Sequence, residues 1–254
     1  MTALLIIVQA RMASRRLPGK VMLPLFAGKV IDLLIERLNS IEGTKVVVAT
    51  TDQKSDDEFS KYLESKEIAI IRGSEDDVLG RFGKCLSIYP ATDIIRVTAD
   101  CPFIDPIIVQ NLIDHYFNAG ADYAYLSPKF AEGLDTEIFS ASALNRACLN
   151  AKLLSEREHV TLHFSNNPEL FKITVLDQVP DHSLFRFTLD TKQDYDVLEK
   201  ISAFFKHRWR DVSSDEIIQY LTDHPETLNL NSGIIRNEGL MISLEKDQRI
   251  EKGG

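Results

Sequence analysis

Short apolar runs and helix-patterned segments take turns through the first half of the chain, and that alternation constrains the fold more than any other feature. Residues 4–8, 45–50, 68–71 and 94–98 have strand length and are rich in Ile, Val and Leu. Each is followed by apolar residues at helical spacing: Ile31, Leu34, Ile35, Leu38 and Ile41 after the first, and Phe59, Tyr62 and Leu63 after the second. The third and fourth helices carry start signals, Ser74-x-x-Asp77 and Asp105-Pro106. A β-α unit repeated in this way predicts a three-layer α/β/α domain with a mostly parallel central sheet and helices on both faces.

The second half is less regular. Residues 121–126, 134–139, 171–176 and 185–189 read as strands. Ser140, Ser155-x-x-Glu158, Thr191-x-x-Asp194 and Ser213-x-x-Glu216 read as helix starts. The expected organisation is one catalytic-type domain over 1–225, with a smaller β-rich excursion at about 121–185. A C-terminal extension over 226–254 follows, and its charged end is expected to be disordered.

The loop after the first strand is the densest chemical feature. Gln9-Ala10-Arg11-Met12-Ala13-Ser14-Arg15-Arg16-Leu17-Pro18-Gly19-Lys20 carries four cations, a hydroxyl and a Pro-Gly turn. In open α/β sheets ligands bind beyond the carboxyl ends of the strands, and Arg and Lys there suit a polyphosphate. A solvated basic loop is the competing reading. The loop is not a P-loop, because Ser14 and Val21 stand where that pattern needs Gly and Ser or Thr. Side chains would have to do most of the phosphate binding.

After the fourth strand comes Thr98-Ala99-Asp100-Cys101-Pro102-Phe103-Ile104-Asp105. Asp100, at the end of a central strand, is placed to hold Mg²⁺ against phosphates, since Mg²⁺ takes one or two carboxylates plus phosphate oxygens and water. A plain turn residue is the alternative, and Asp105 reads as a helix cap. In Leu189-Asp190-Thr191-Lys192-Gln193-Asp194 the first Asp ends a strand and the second fits a capping box. Asp194-Tyr195-Asp196 matches the D-x-D of glycosyltransferases by letter, but it falls inside the expected helix.

The Gln9-Ala10-Arg11-x-x-Ser14-x-Arg16-Leu17-Pro18-Gly19-Lys20 motif resembles the opening of the sugar-acid cytidylyltransferases, which make CMP-activated 3-deoxy-octulosonate and sialic-acid-type sugars. It is most similar to the spore coat polysaccharide biosynthesis subgroup. The resemblance is strong at this loop and at the two Asp segments, and softer elsewhere. It implies the nucleotide-diphospho-sugar transferase type of sheet, CTP as donor, a sugar acid as acceptor and a Mg²⁺ cofactor. It implies nucleotide-binding roles for Gln9, Ala10, Arg11, Ser14, Arg16, Gly19, Lys20 and Arg81, and catalytic roles for Arg11, Lys20 and Asp100. Metal binding carries over to Asp100 and Asp190. Asp135, Glu137, Arg157 and His159 lie in segments similar to the acceptor pocket, where a solvated face is the competing reading. A homodimer is also implied. Val21-Met22 departs from several sialic-acid enzymes, which carry a polar residue there.

Composition narrows the alternatives. A net charge of −9 over 254 residues argues against broad nucleic-acid binding but leaves room for a local basic pocket. Three dispersed cysteines, with no C-x-x-C and no H-E-x-x-H, argue against a disulfide framework or structural zinc. Cys101 reads as a small buried residue. No run reaches the roughly 18 apolar residues of a membrane span, and the N-terminal run lacks the cationic flank of a signal peptide. A cytoplasmic protein with no membrane and no nucleic-acid partner is expected. The rival functions are a nucleotide-sugar-dependent glycosyltransferase and a non-catalytic nucleotide-sugar-binding subunit.

Overall fold

The computed structural model describes residues 4–236 and 238–253. Seven strands form one sheet in the order β5-β4-β1-β6-β8-β7-β9. They are β1 (Leu4–Gln9), β4 (Thr44–Thr51), β5 (Ala69–Gly73), β6 (Asp93–Thr98), β7 (Tyr123–Leu126), β8 (Thr136–Ser140) and β9 (Ile173–Leu176). A small hairpin, β2 (Pro24–Leu25) and β3 (Gly28–Lys29), stands apart. Four of the six pairings are parallel, and both antiparallel ones involve β8. The strands of the 121–185 segment therefore extend the same sheet.

β1 is buried on both faces, which is why it reads as a continuous apolar run. Ile6 and Val8 pack toward α1 (Val30–Leu38), α2 (Asp57–Ser65) and α4 (Pro106–Ala119). Leu5 and Ile7 pack toward α3 (Val78–Ile88), α5 (Ala141–Asn150) and Phe164 of α7 (Leu162–Asn166). Burying each such side chain is worth about 1.5–3 kcal/mol. A third core joins α8 (Lys192–Phe205) and α9 (Ser214–Asp223) to Phe103, Phe130 and Phe187. Among the described residues, no helix is long and apolar enough to cross a membrane.

Several local signals are met. Asp105 caps α4 through the Ile107 amide, Ser140 caps α5, and Thr191/Asp194 and Ser213/Glu216 form reciprocal boxes. Others are corrected. α3 starts at Val78, because Asp77 itself is the cap and accepts from the Gly80 amide. The Ser155 helix is two short pieces, α6 (Leu154–Glu158) and α7, and it is Glu156 that accepts from the Lys152 and Leu153 amides. That leaves Glu158 without a capping task.

Residues 185–189 form no ladder strand. Phe187 donates to the Glu132 carbonyl and Leu189 to the Asp100 carbonyl, so the segment stitches two loops together. Gly133 permits this close approach: its φ is +114°, and a Cβ there would lie 2.8 Å from the Phe187 backbone.

The C-terminal extension carries the helix α11 (Glu238–Gly253); residue 254 lies outside the described residues. The helix lies against α6, where Ser243 and Asp247 are buried, and the Asp247 carboxylate accepts from the Ser155 amide at 3.4 Å. Composition reports net polarity, whereas these bonds depend on where α6 has been placed. Between α10 (Pro225–Leu228) and α11 the chain is clamped. Asn231 bonds Asp194 and the Arg186 carbonyl, and Arg236 reaches the Pro128 and Phe130 carbonyls and Asp135.

Candidate active site

From β1 the chain runs outward through β4 and β5, then returns to β6 on the other side of β1. That reversal is a topological switch point, where an open sheet leaves a crevice beyond its strand ends. A cleft of about 750 Å³ lies there, and Gln9, Ala10, Arg11, Ser14, Arg16, Lys20, Arg81, Asp100, His159 and Asp190 are all in its wall.

The cationic loop is shaped by few contacts. Its first turn folds on Met12, whose carbonyl accepts from the amides of Ser14 and Gly19, both at 2.9 Å. Gly19 has φ +72°, a left-handed conformation in which Gly bears no steric cost. The Met12 amide donates to Asp56 at 2.9 Å. Asp56 is fully buried and also accepts from Thr50, from the Thr51 hydroxyl and from the Thr51 amide. Sequence reading missed this anchor. Its signal was a carboxylate shortly after a strand that ends in two threonines.

Lys20 Nζ reaches Asp100 at 2.7 Å and Asp190 at 2.9 Å. Burial works to lower the Lys20 pKa, but the attraction of the two carboxylates outweighs it and holds the ammonium above its usual value. Burial likewise works to raise Asp100, and Lys20 overcomes it, leaving Asp100 at about 2. Arg16 bridges Asp190 at 2.9 Å and Glu238 of α11 at 2.7 Å. Arg11 lies 3.5 Å from Glu75. Two hard carboxylates that already converge on a cation match the donor set of Mg²⁺, which draws its other ligands from phosphate and water. Among the described residues no group of three or more His, Cys, Asp or Glu gathers to hold a metal by itself.

Arg81 is 2% exposed, and its Nε and Nη1 have no partner among the described residues. Burial, reinforced by Arg11, lowers its pKa. An unpaired buried guanidinium in a cleft wall is costly unless a ligand pairs with it. Gln9 is tied to Arg96 at 3.0 Å.

Gly19 shapes the loop without lining the cleft. Of the four acceptor candidates, the structure brings only His159 into the wall. Asp135 is spent on Arg236 and the Gly133 amide. Arg157 pairs with Asp77 and the Cys148 carbonyl. Glu137 lies behind the wall, bonded to Arg96, Tyr123 and Thr161. Arg96, which holds both Gln9 and Glu137, was also missed. A charged residue within Ile94-Ile95-Arg96-Val97 was the available signal, because a buried charge needs partners. Asp196, half of the D-x-D, is on the exposed flank of α8 with Lys192, while Asp194 is fully buried. The cleft wall also takes Glu238, Ile242, Ser243 and Lys246 from α11.

The chain is similar to known proteins in sequence and fold. The cytidylyltransferase family profile matches residues 5–239. The spore coat polysaccharide biosynthesis protein SpsF of Bacillus subtilis is 34% identical over 237 residues, covering 89% of this chain and 97% of its own length. A 3-deoxy-manno-octulosonate cytidylyltransferase of Aeromonas salmonicida is 26% identical over 63% of this chain and 60% of its own. The solved structure of a cytidylyltransferase from Leptospira borgpetersenii superposes with a TM-score of 0.85 at 31% identity, covering 93% of this chain and 100% of that one. A CMP:2-keto-3-deoxy-manno-octonic acid synthetase complexed with CTP shares the fold, with a TM-score of 0.59 at 18% identity over 81% of this chain and 99% of that one. With its sheet, the family profile and these relatives in agreement, the chain belongs to the cytidylyltransferase family, in the spore coat polysaccharide subgroup, and is a nucleotidyltransferase.

Proposed function

We propose that the protein transfers CMP from CTP to a sugar acid and releases pyrophosphate, as a Mg²⁺-dependent cytoplasmic homodimer serving surface polysaccharide synthesis. The observation that carries this reading is the convergence of Asp100 and Asp190 on Lys20 at the switch point of the sheet. Such a set can exchange partners. When a triphosphate enters, Lys20 and Arg16 turn to phosphate oxygens and leave the two carboxylates for the metal. Held there, Mg²⁺ would neutralise phosphate charge during the transfer.

The protein's own groups do the rest by position and charge. Arg11, Arg16 and Lys20 offset the charge of the triphosphate and of departing pyrophosphate. Ser14 adds a hydroxyl donor, and Gln9, Ala10 and Arg81 line the inner wall available to the nucleoside. His159 faces the acceptor, while Glu137, Arg157 and Asp135 support that side from behind through Thr161, Asp77 and Arg236. Val179 and Leu184, both exposed on the chain that follows the edge strand β9, are apolar side chains available to a second copy.

Thermal melting with CTP, UTP, ATP or GTP, each with Mg²⁺ or with EDTA, tests the reading, because a ligand that binds only the native state raises its stability. The expected result is a CTP-selective upshift that needs Mg²⁺, followed by pyrophosphate release with a sugar acid. A shift with UDP- or GDP-sugars and none with CTP overturns the reading in favour of a glycosyltransferase. No shift with any of them favours a non-catalytic subunit.

A further inference from the structure

Three polar side chains of the cleft wall form a chain that phosphate and metal binding do not use. His159 Nε2 lies 3.0 Å from Ser243 Oγ. Ser243 Oγ is in turn 2.8 Å from Glu158 Oε2 and 3.1 Å from the Gly239 carbonyl. Glu158 and His159 come from the end of α6, and Ser243 comes from α11. A serine hydroxyl has one proton. Once that proton is donated to Glu158 or Gly239, the oxygen can only accept from the imidazole. The bond therefore sets the tautomer, with the proton on Nε2 and the lone pair on Nδ1. All three side chains line the cleft that holds Lys20 and Asp100.

The surroundings keep the ring neutral. Burial lowers the His159 pKa; Glu158 and Glu137 pull it up, and Arg96 and Arg11 push it down, with a lowered value as the balance. From α11, Lys246 adds a further positive charge to the same wall. A neutral imidazole is a poor partner for a sugar carboxylate and a good acceptor for a proton.

We propose that His159, oriented by Ser243 and Glu158, takes the proton of the acceptor hydroxyl as that oxygen attacks the α-phosphorus of CTP. This rests on the CMP-transfer reading. The acceptor oxygen–phosphorus bond forms, and the bond from the α-phosphorus to the α,β-bridging oxygen breaks. The electron pair of the broken bond leaves on pyrophosphate, beside Lys20 and Arg16. The hydroxyl proton passes to Nδ1, the Nε2 proton stays in its bond to Ser243, and Glu158 offsets the imidazolium charge through the serine. Ser243 and Glu158 are positioning residues, and α11 thereby becomes part of the chemistry.

The test is pyrophosphate release by the full chain with CTP, Mg²⁺ and a panel of sugar acids that starts with 3-deoxy-manno-octulosonate. His159→Gln is expected to lower kcat by about 10²–10⁴-fold with the KM for CTP little changed. Ser243→Ala should cost roughly 10-fold through loss of orientation. Glu158→Gln should move the acidic limb of the kcat profile to lower pH, because the charge that raises the His159 pKa is gone. A merely structural role would lower activity without moving that limb. Wild-type kcat in His159→Gln, or an unmoved limb in Glu158→Gln, overturns the proposal. Should His159→Gln fail to fold, unchanged kcat in Ser243→Ala overturns it. No release by the wild type with any acceptor overturns the transfer reading itself, and that failure is told apart by arising without a mutation.

Discussion

Asp190 and Asp194 lie four residues apart, on either side of the Thr191 cap of α8, and both face arginines. Asp194 is fully buried, and its oxygens take bonds from Arg186, Asn231, Thr191 and the Asp190 amide. Asp190 has a side chain 21% exposed, held by Lys20 and Arg16, two long side chains that can move, and more distantly by Arg186 at 3.3 Å. One carboxylate is a fixed joint between α8, the 185–189 segment and the C-terminal strap. The other waits in a cleft for different company. The residue types barely differ; what separates the roles is whether the partners are rigid and dry or mobile and wet.

The contrast can be broken from either side. The largest effect is expected from Arg186→Ala, which strands Asp194 and Glu132 as buried charges and should cost about 3–5 kcal/mol in urea unfolding. A loss below 1 kcal/mol would mean the joint is dispensable. Next comes Asp100→Asn, expected to lower kcat by about 10²–10³-fold while the protein stays folded. Near-wild-type turnover would sink the metal-site reading. Asn231→Ala should cost about 1–3 kcal/mol, because Asp194 and the Arg186 carbonyl each lose a buried partner, with turnover per folded molecule kept.

Acid sharpens the comparison further. Asp100 is held at about 2, below its ordinary value near 4, so its contribution to stability is present above about pH 4 and lost as pH falls toward about 2. Lys20→Met removes the charge that holds it down. Stability measured between pH 5 and 2 should therefore fall less steeply in that variant than in the wild type. The smallest effect is expected from Glu238→Ala. Its pair with Arg16 is partly exposed, at 45% and 35%, and such pairs are worth under about 1 kcal/mol.

Much of the first half was readable because its signals are local. An apolar run of strand length, a helical period and an Asp-Pro start each act within a few residues, and β1, β4, β5, β6 and α4 formed where those signals lie. The cationic loop and Asp100 were legible for the same reason, since a strand end in such a sheet faces the crevice; Asp190 was found by its segment although the strand expected before it did not form. Where two local signals competed, as at Ser155 with Glu156 and Glu158, spacing could not choose. The choice went to the geometry that left Glu158 free to meet Ser243 across 85 residues.

What the chain determines by itself is therefore the layer order, the mostly parallel sheet and the presence of a cationic loop and a carboxylate after adjoining strands β1 and β6. Period and capping are short-range properties, and they survive translation into structure. Tertiary structure alone decided which carboxylates line the cleft and which are buried joints. It alone sent Glu137 and Arg157 behind the wall, tied the loop to Asp56 and laid a charged tail over the cleft as α11. Those outcomes turn on desolvation and on partners dozens to hundreds of residues away, and a side chain's charge carries no record of either until the chain has closed around it.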